Sequence, residues 1–489
     1  MLVKRAAGVA VVSFWVVMNG WLLQRQLSAP PAPIALPAIR ALAGPVEEWW
    51  GIYYRGEKIG YATQAIRPGE PGYRIADYAI MRLRLLDTTR TAVTRLNVEV
   101  DPEWALERFD FDLQSDGVRF KARGRAAAGR LVLEVESAGH ATKREIPLTQ
   151  TPYLPAALKP FIATQQLQPG KEYYFSTFDP ASLSQQVTTV VVEGREQIRV
   201  GDRTEPAMRV RQKFRGISVV SWLDGAGGTL REESPAGFTL VRQSPNEAKA
   251  MPSGPRAVPL DLIAATAIAP DRPVEHPERL RRMRLRLGGV ETMNFPMLGL
   301  GRQKLRGDVL EIRREELQDL RFVRLPVRDR MLASYLQPTP FLQSDHPKIR
   351  DLASRIVGRE RDAREAAERI RRWVHRELAK QPTVSVPNAL QVLELKRGDC
   401  NEHTVLFNAL ARAAGLPAKT VVGVAYVRNA FYYHAWSEVW LGQWVSLDAT
   451  LDQFPADAAH VKFLEGDIDR QIDVLQLIGR LSIRVIEAS

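Results

Sequence analysis

The sequence predicts an α+β protein: an N-terminal membrane helix, large antiparallel β-rich domain(s), and a C-terminal α+β domain. Three observations predict it. An uncharged run from Ala6 to Leu23 follows Lys4 and Arg5. From Trp49 to about Ala250, strand-like segments alternate with glycine-bearing turns. From Lys348 the apolar spacing becomes helical, and a cysteine falls at a capped helix start upstream of a His- and Asp-bearing strand pair. The expected parts are 1–28 (signal anchor or transmembrane helix), 29–45 (Pro-rich spacer), 46–250 (a β-rich, half-barrel-like domain), 251–341 (linker and a smaller β-rich region) and 342–489 (the C-terminal domain).

Composition bounds the classes. The chain has 489 residues, 45% hydrophobic and 25% charged, a globular balance that excludes a disordered or collagen-like polymer. Its single cysteine, Cys400, excludes an internal disulfide, a cysteine zinc finger and an iron–sulfur cluster held by this chain alone. The net charge of +12 is diffuse, with no basic block of the kind that binds nucleic acid. Such an excess favours anionic surroundings weakly.

The Ala6–Leu23 run, at about 1.5 Å per residue, spans about 27 Å, enough for a hydrocarbon core. Trp15 and Trp21 suit a membrane helix, and the preceding basic pair predicts a cytoplasmic N-terminus with the bulk outside. A cleaved signal peptide is the alternative. Leu27 and Pro30 spoil cleavage after Ala29, which favours a retained anchor. Pro30, Pro31, Pro33, Pro37 and Pro45 then read as a stiff spacer.

In the β-rich stretch, Trp50–Lys58 reads as two strands about an Arg55-Gly56-Glu57 turn, and Tyr153–Gln168 as the one helical interruption. Pro252, Pro255, Pro259, Pro270, Pro273 and Pro277 mark a linker, and strands at 280–287 and 308–314 follow. Ile349, Leu352, Ile356 and Val357 then share a helical face. A second helix over 362–380 turns Ala366, Ala367, Ile370, Trp373, Val374 and Leu378 inward, and a third begins at Cys400. Strands are expected at 419–427, 432–441 and 444–448, a helix at 468–477 and a last strand at 481–486.

The chemistry concentrates at Cys400. Asp399 is a good N-cap, Glu402 three residues on completes a capping box, and Gly415 and Pro417 stop the helix. A thiol in the first helical position meets free N–H groups and the positive dipole end, which favour the thiolate; Asp399 and Glu402 oppose it. The candidate base is His434, which alternation places on one strand face with Trp436, Glu438 and Trp440. Folding the hairpin near residue 441 brings Asp448 opposite His434, where a carboxylate orients the imidazole. Asn388 and Trp436 are candidates for a second oxyanion or cleft donor beside the Cys400 backbone N–H. His403 could touch the site but suits a local structural role, as does His375. His140, His276, His346 and His460 are scattered, and with no HExxH and no acidic calcium loop neither metal nor cofactor is expected.

Arg-Gly-Asp-Cys-Asn-Glu-His at 397–403, Ala-Arg-Ala-Ala-Gly-Leu-Pro-Ala at 411–418, His-Ala-Trp-Ser-Glu-Val-Trp at 434–440 and Trp-Val-Ser-Leu-Asp-Ala-Thr at 444–450 resemble the transglutaminase-like superfamily, in its bacterial membrane-anchored form. The resemblance covers about 342–452. It implies a papain-like α+β domain, with Cys400 as nucleophile, His434 as base and acid, and Asp448 as orienting carboxylate. Asp-Ala-Thr stands where the bacterial pattern has Asp-Pro-Thr. The Gln-Cys-Trp and acidic calcium loops of vertebrate cross-linking enzymes are absent, which argues against calcium dependence. More loosely, Tyr54–Tyr61 and Trp222-Leu-Asp-Gly225 resemble the β-rich modules of bacterial envelope proteins, including lipoprotein-carrier-like half-barrels, which implies a sheet able to hold a ligand, a partner or the neighbouring domain.

The expectation is therefore an envelope thiol enzyme on the bacterial inner membrane, single-pass, with its bulk in the periplasm. It would cleave or transfer peptide or isopeptide amides of envelope proteins or cell-wall peptides through a Cys400 thioester. Its partners would be that protein or peptide substrate and the membrane, with no nucleic acid. The alternatives are a non-catalytic transglutaminase-like scaffold in an envelope assembly, and an assembly factor acting on one partner protein.

Overall fold

Strict alternation builds the largest element. In the strand Val118–Ala127, Val118, Phe120 and Ala122 point inward while Arg119, Arg123 and Arg125 point out. The structure, a computed structural model, describes residues 44–489 apart from 138–139, 149, 165–167, 253–260 and 467–471. The expected membrane helix and nearly all of the spacer lie outside the described residues. Among those described, no helix is long and apolar enough to cross a membrane.

Fourteen described strands between Val46 and Arg242 form one antiparallel sheet. Its first strand, Val46–Tyr54, lies in the middle, paired with Glu57–Pro68 on one side and Phe238–Arg242 on the other. One arm meanders outward by successive hairpins to His140–Pro147, and the other returns from Glu172–Asp179. The helix Pro155–Thr164 connects the arms and fills the space between them. Leu154, Leu158 and Phe161 are fully buried there, in one core with Phe109 and Phe120 of the first arm and Phe178 and Val190 of the second. Each large apolar side chain so buried contributes about 1.5–3 kcal/mol. Gly124 has a specific reason: a Cβ there would stand 2.1 Å from the ring of Phe109, its cross-strand partner.

Phe341 and Val386, from beyond this sheet, belong to the same core, and the Phe341 ring stacks 6.4 Å from Phe120. The neighbouring domain thus packs against the sheet. The described part of the proline-marked linker is also docked. Ile268 exchanges both backbone hydrogen bonds with Phe431, and Leu262 and Ala265 pack beside Ile52 and Leu83.

A four-stranded sheet follows, ordered Gln303–Arg306, Val309–Arg313, Arg282–Gly288, Ser482–Ala488. It takes strands from both sides of the division expected at 341/342, because the late strand pairs with Arg282–Gly288. In place of the helix expected over 468–477, the described residues show a short 3-10 turn, Ile472–Gln476.

The remaining layer is helical on one side and sheet on the other. The helices Pro347–Val357, Ala363–Glu377, Ala389–Leu395 and Cys400–Ala413 cover a sheet ordered Trp444–Leu447, Ala430–Trp440, Ala418–Val427, His460–Glu465. Ala366, Ala367, Ile370 and Val374 pack inward as the spacing predicts, whereas Trp373 is only partly buried. Arg371 is buried as well, with Glu368 and Asp452 both pairing with its guanidinium.

Candidate active site

The site begins with the start of the Cys400–Ala413 helix. The Asp399 carboxylate accepts from the Asn401 N–H at 2.9 Å; it also accepts from the Glu402 N–H while the Glu402 carboxylate accepts from the Asp399 N–H at 2.9 Å, so both halves of the capping box form. Gly398 makes room for this: a Cβ there would meet that of Glu402 at 2.2 Å. The helix then rides on the sheet, with Thr404 Oγ1 donating to the Ala435 carbonyl at 3.1 Å and Asn408 Nδ2 to Thr420 Oγ1 at 2.9 Å. The Ala435 N–H donates to the Cys400 sulfur, which sets the half-buried thiol beside the residue that follows His434.

A segment in neither helix nor strand approaches the same turn. Thr383 and Ser385 donate their hydroxyls to Glu402 Oε1 at 2.7 and 2.6 Å. Val384, between them, packs against Ile52, Tyr54 and Leu83, and Val386 enters the core containing Phe109 and Phe120. Odd positions hold the Cys400 helix, and even positions hold the large sheet.

Electrostatics oppose a resting thiolate. Burial, then the Asp399 carboxylate, push the Cys400 thiol well above the ordinary thiol range; the Ala435 N–H acts the other way. Burial and the adjacent Glu402 likewise push the Asp399 carboxyl well up. Cys400 thus rests as a neutral thiol, despite its helix start, and needs a base. Asp399→Asn keeps an N-cap and removes the foremost opposing charge, so it should make the thiol more acidic. Each unit of downward shift raises the thiolate fraction about tenfold at a given pH. As Cys400 is the chain's single cysteine, the ultraviolet thiolate absorbance followed against pH reads this directly; an unmoved titration would refute it.

His434 and Asp448 meet: Nε2 and Oδ2 lie 2.6 Å apart, both buried. Burial alone would raise the Asp448 carboxyl, but the charge of His434 and hydrogen bonds from His434 and His460 reverse this and hold it well below the carboxylate range. An ionised Asp448 requires the proton on His434 Nε2, which leaves Nδ1 with a lone pair. The register differs from expectation by two residues. Trp440 pairs with Trp444, so the hairpin folds about Gly442 rather than 441, and Asp448 is carried past the strand end. A two-residue shift preserves the face, so the contact forms all the same.

The other expected residues are placed as follows. Asn388 caps the helix Ala389–Leu395, its Oδ1 accepting from the Gln391 N–H at 3.1 Å, and it also bonds to Gln343. Trp436 stacks on His434, with centroids 6.0 Å apart, and its buried Nε1 has no hydrogen-bond partner among the described residues. His403 contacts the Asp399 carbonyl through Nδ1 at 2.7 Å, a local role. His375 Nδ1 holds the Ala449 carbonyl at 3.0 Å, steadying the turn that follows Asp448.

His460 is the residue that sequence reasoning passed over. Its Nε2 lies 3.1 Å from Asp448 Oδ2, and its Nδ1 lies 2.8 Å from Asp457 Oδ1. Burial would strip its proton, but Asp457 and Asp448 hold it, pushing the imidazole up to about 9. Its contribution to stability is therefore complete below about pH 6.5 and lost as pH rises through about 9. The donor atoms of His434, Asp448 and His460 all lie within 4.8 Å of one another, the one such grouping among the described residues, and both imidazoles spend that proximity on the carboxylate. The local signal was Asp457-x-x-His460 ahead of a short apolar strand.

No curated protein matches the chain. Among solved structures, a Cytophaga hutchinsonii protein described provisionally as a cysteine protease is similar at 18% identity, over 41% of this chain and 83% of its own, with a TM-score of 0.29. A β-barrel-like domain of unknown function from Brucella abortus is similar at 12% identity, over 42% and 97%, with a TM-score of 0.33. The periplasmic domain of TgpA from Pseudomonas aeruginosa is similar at 22% identity, over 32% and 64%, with a TM-score of 0.22. Residues 350–449, which include Cys400, His434 and Asp448, match the family model of the transglutaminase-like superfamily, and the C-terminal part of this chain is a transglutaminase-like domain.

Proposed function

We propose that the protein is a thiol enzyme that attacks amide carbonyls of peptides or isopeptides through Cys400. The observation that carries this is the His434–Asp448 pair, 2.6 Å apart, with His434 on the strand that also donates the Ala435 N–H to the Cys400 sulfur. His434 Nδ1 takes the thiol proton as Sγ bonds to the carbonyl carbon. The tetrahedral oxyanion meets the Cys400 backbone N–H at the helix start. Collapse breaks the C–N bond, the imidazolium returns its proton to the leaving amine, and a thioester remains. Water then gives hydrolysis, and an amine gives transfer.

We place this activity in the bacterial envelope, the N-terminal apolar run holding the chain at the inner membrane with its bulk in the periplasm, where proteins or cell-wall peptides are the substrates. The test is covalent trapping. Incubated with envelope extract, the full chain should form an acyl adduct on Cys400 that Cys400→Ala abolishes and His434→Ala reduces strongly. Absence of any adduct across peptide, isopeptide and ester substrates would sink the proposal. One observation favours a second reading, a non-catalytic scaffold: the thiol is pushed up rather than down. The scaffold predicts that His434→Ala leaves Cys400 alkylation unchanged.

A further inference from the structure

The nucleophile, base and carboxylate leave one buried ion without a role. His460 is 1% exposed and carries a carboxylate on each ring nitrogen. A packing histidine needs one partner and a neutral ring, whereas two carboxylates call for an imidazolium. Asp448 spends both oxygens in fixed bonds: Oδ1 accepts from the Thr450 and Leu451 N–H groups at 2.7 and 3.0 Å, and Oδ2 accepts from His434 and His460. Behind His460, Asp457 is itself held by the Ala459 N–H at 2.9 Å and by Gln453 Nε2 at 2.8 Å. The edge of Trp436, 5.2 Å away, closes the side of the ring.

We propose that His460 is a positioning residue of the thiol site, fixing the Asp448 oxygen that faces His434 and placing a constant positive charge behind it, with Asp457 as its anchor. This rests on the Cys400–His434–Asp448 reading above. The charged groups facing His460 are Asp448, Asp457 and the His434 ring, whose centroid is 5.6 Å away, together with the Arg302 guanidinium on its backbone carbonyl at 3.0 Å, itself paired with Glu315. Removing the positive charge disfavours a Cys400 anion and strengthens the grip of Asp448 on a proton at His434. Both effects move the onset of thiol reactivity to higher pH.

The experiment follows Cys400 alkylation by iodoacetamide against pH in the full chain. In His460→Gln, which keeps an N–H donor for Asp448 but no charge, the acid limb should move to higher pH, with reaction about tenfold slower on that limb, the worth of one charge-assisted hydrogen bond. His460→Gln with Asp457→Asn removes one charge of each sign and should return the limb most of the way. A purely structural histidine would lower the melting temperature, leave the limb in place and make the double variant worse. A His434-dependent wild-type rate whose limb His460→Gln leaves unmoved overturns this proposal alone. A wild-type rate indifferent to His434→Ala overturns the thiol-enzyme reading with it. Should His460→Gln not fold, nitrogen-15 NMR of the wild type decides: protons on both His460 nitrogens at neutral pH support the proposal, and a bare nitrogen overturns it.

Discussion

Asp448→Asn should abolish nearly all turnover, by about 10³–10⁴-fold, while leaving the chain folded. The carboxylate accepts four hydrogen bonds: two from imidazoles at Oδ2 and two from backbone N–H groups at Oδ1. A carboxamide cannot accept on both sides. With its oxygen toward Thr450 and Leu451, its NH2 group meets two imidazole N–H groups; flipped, it meets two backbone N–H groups. The least costly relief is a proton shift on His434 from Nε2 to Nδ1, which removes the lone pair that Cys400 needs. The measurement is kcat and KM on any substrate that the trapping experiment yields, with the His434 tautomer read by nitrogen-15 NMR. A kcat within about tenfold of wild type would show that Asp448 does not set the tautomer.

Glu438→Ala should be the most destabilising single change in the C-terminal sheet, costing about 3–5 kcal/mol. Glu438 is buried, and Lys462 Nζ reaches its two oxygens at 2.7 and 2.9 Å while Lys419 Nζ reaches Oε2 at 3.2 Å. Removing it leaves two buried ammonium groups sharing Glu465. Burial would raise the Glu438 carboxyl, but the two lysine charges override it and hold the group low. Its contribution is therefore present above the ordinary carboxylate range and lost as pH falls through the depressed value. Urea unfolding at neutral pH checks the loss. Glu438→Leu with Lys462→Met should cost much less, since it removes the charge pair together; equal losses would show that packing, not charge, holds the strand.

What the sequence made legible follows the range of the interactions involved. The Cys400 helix was readable because its cap and box, and separately its stop, each lie within a few residues of the helix end that they mark. The His434–Asp448 contact was readable because a hairpin is also local. The exact partner was not, because a turn centred one residue later moves every pair by two. His460 was legible only as the local Asp457-x-x-His460 pattern; its approach to Asp448 was not. Its strand meets Ala418–Val427 across a long connection, with a register shift between Val422 and Gly423, and no local pattern encodes such a pairing. The same holds for Ser482–Ala488, whose partner Arg282–Gly288 precedes the helices altogether. For the Cys400 thiol, the helix start and the opposing carboxylates were both visible and the balance between them was left open; the burial that tips it toward the thiol was not visible.

The segment Thr383–Val386 has a mechanical consequence. It lies in neither helix nor strand, yet its alternate side chains are gripped by different bodies, the hydroxyls by Glu402 and the valines by the large sheet. There is no slack residue between grips to absorb a displacement. A displacement of the sheet therefore bears on the first turn of the Cys400 helix through these grips. The large sheet is thus part of the stiffness of the nucleophile's mount, and a C-terminal fragment made without it would keep the thiol but lose the brace.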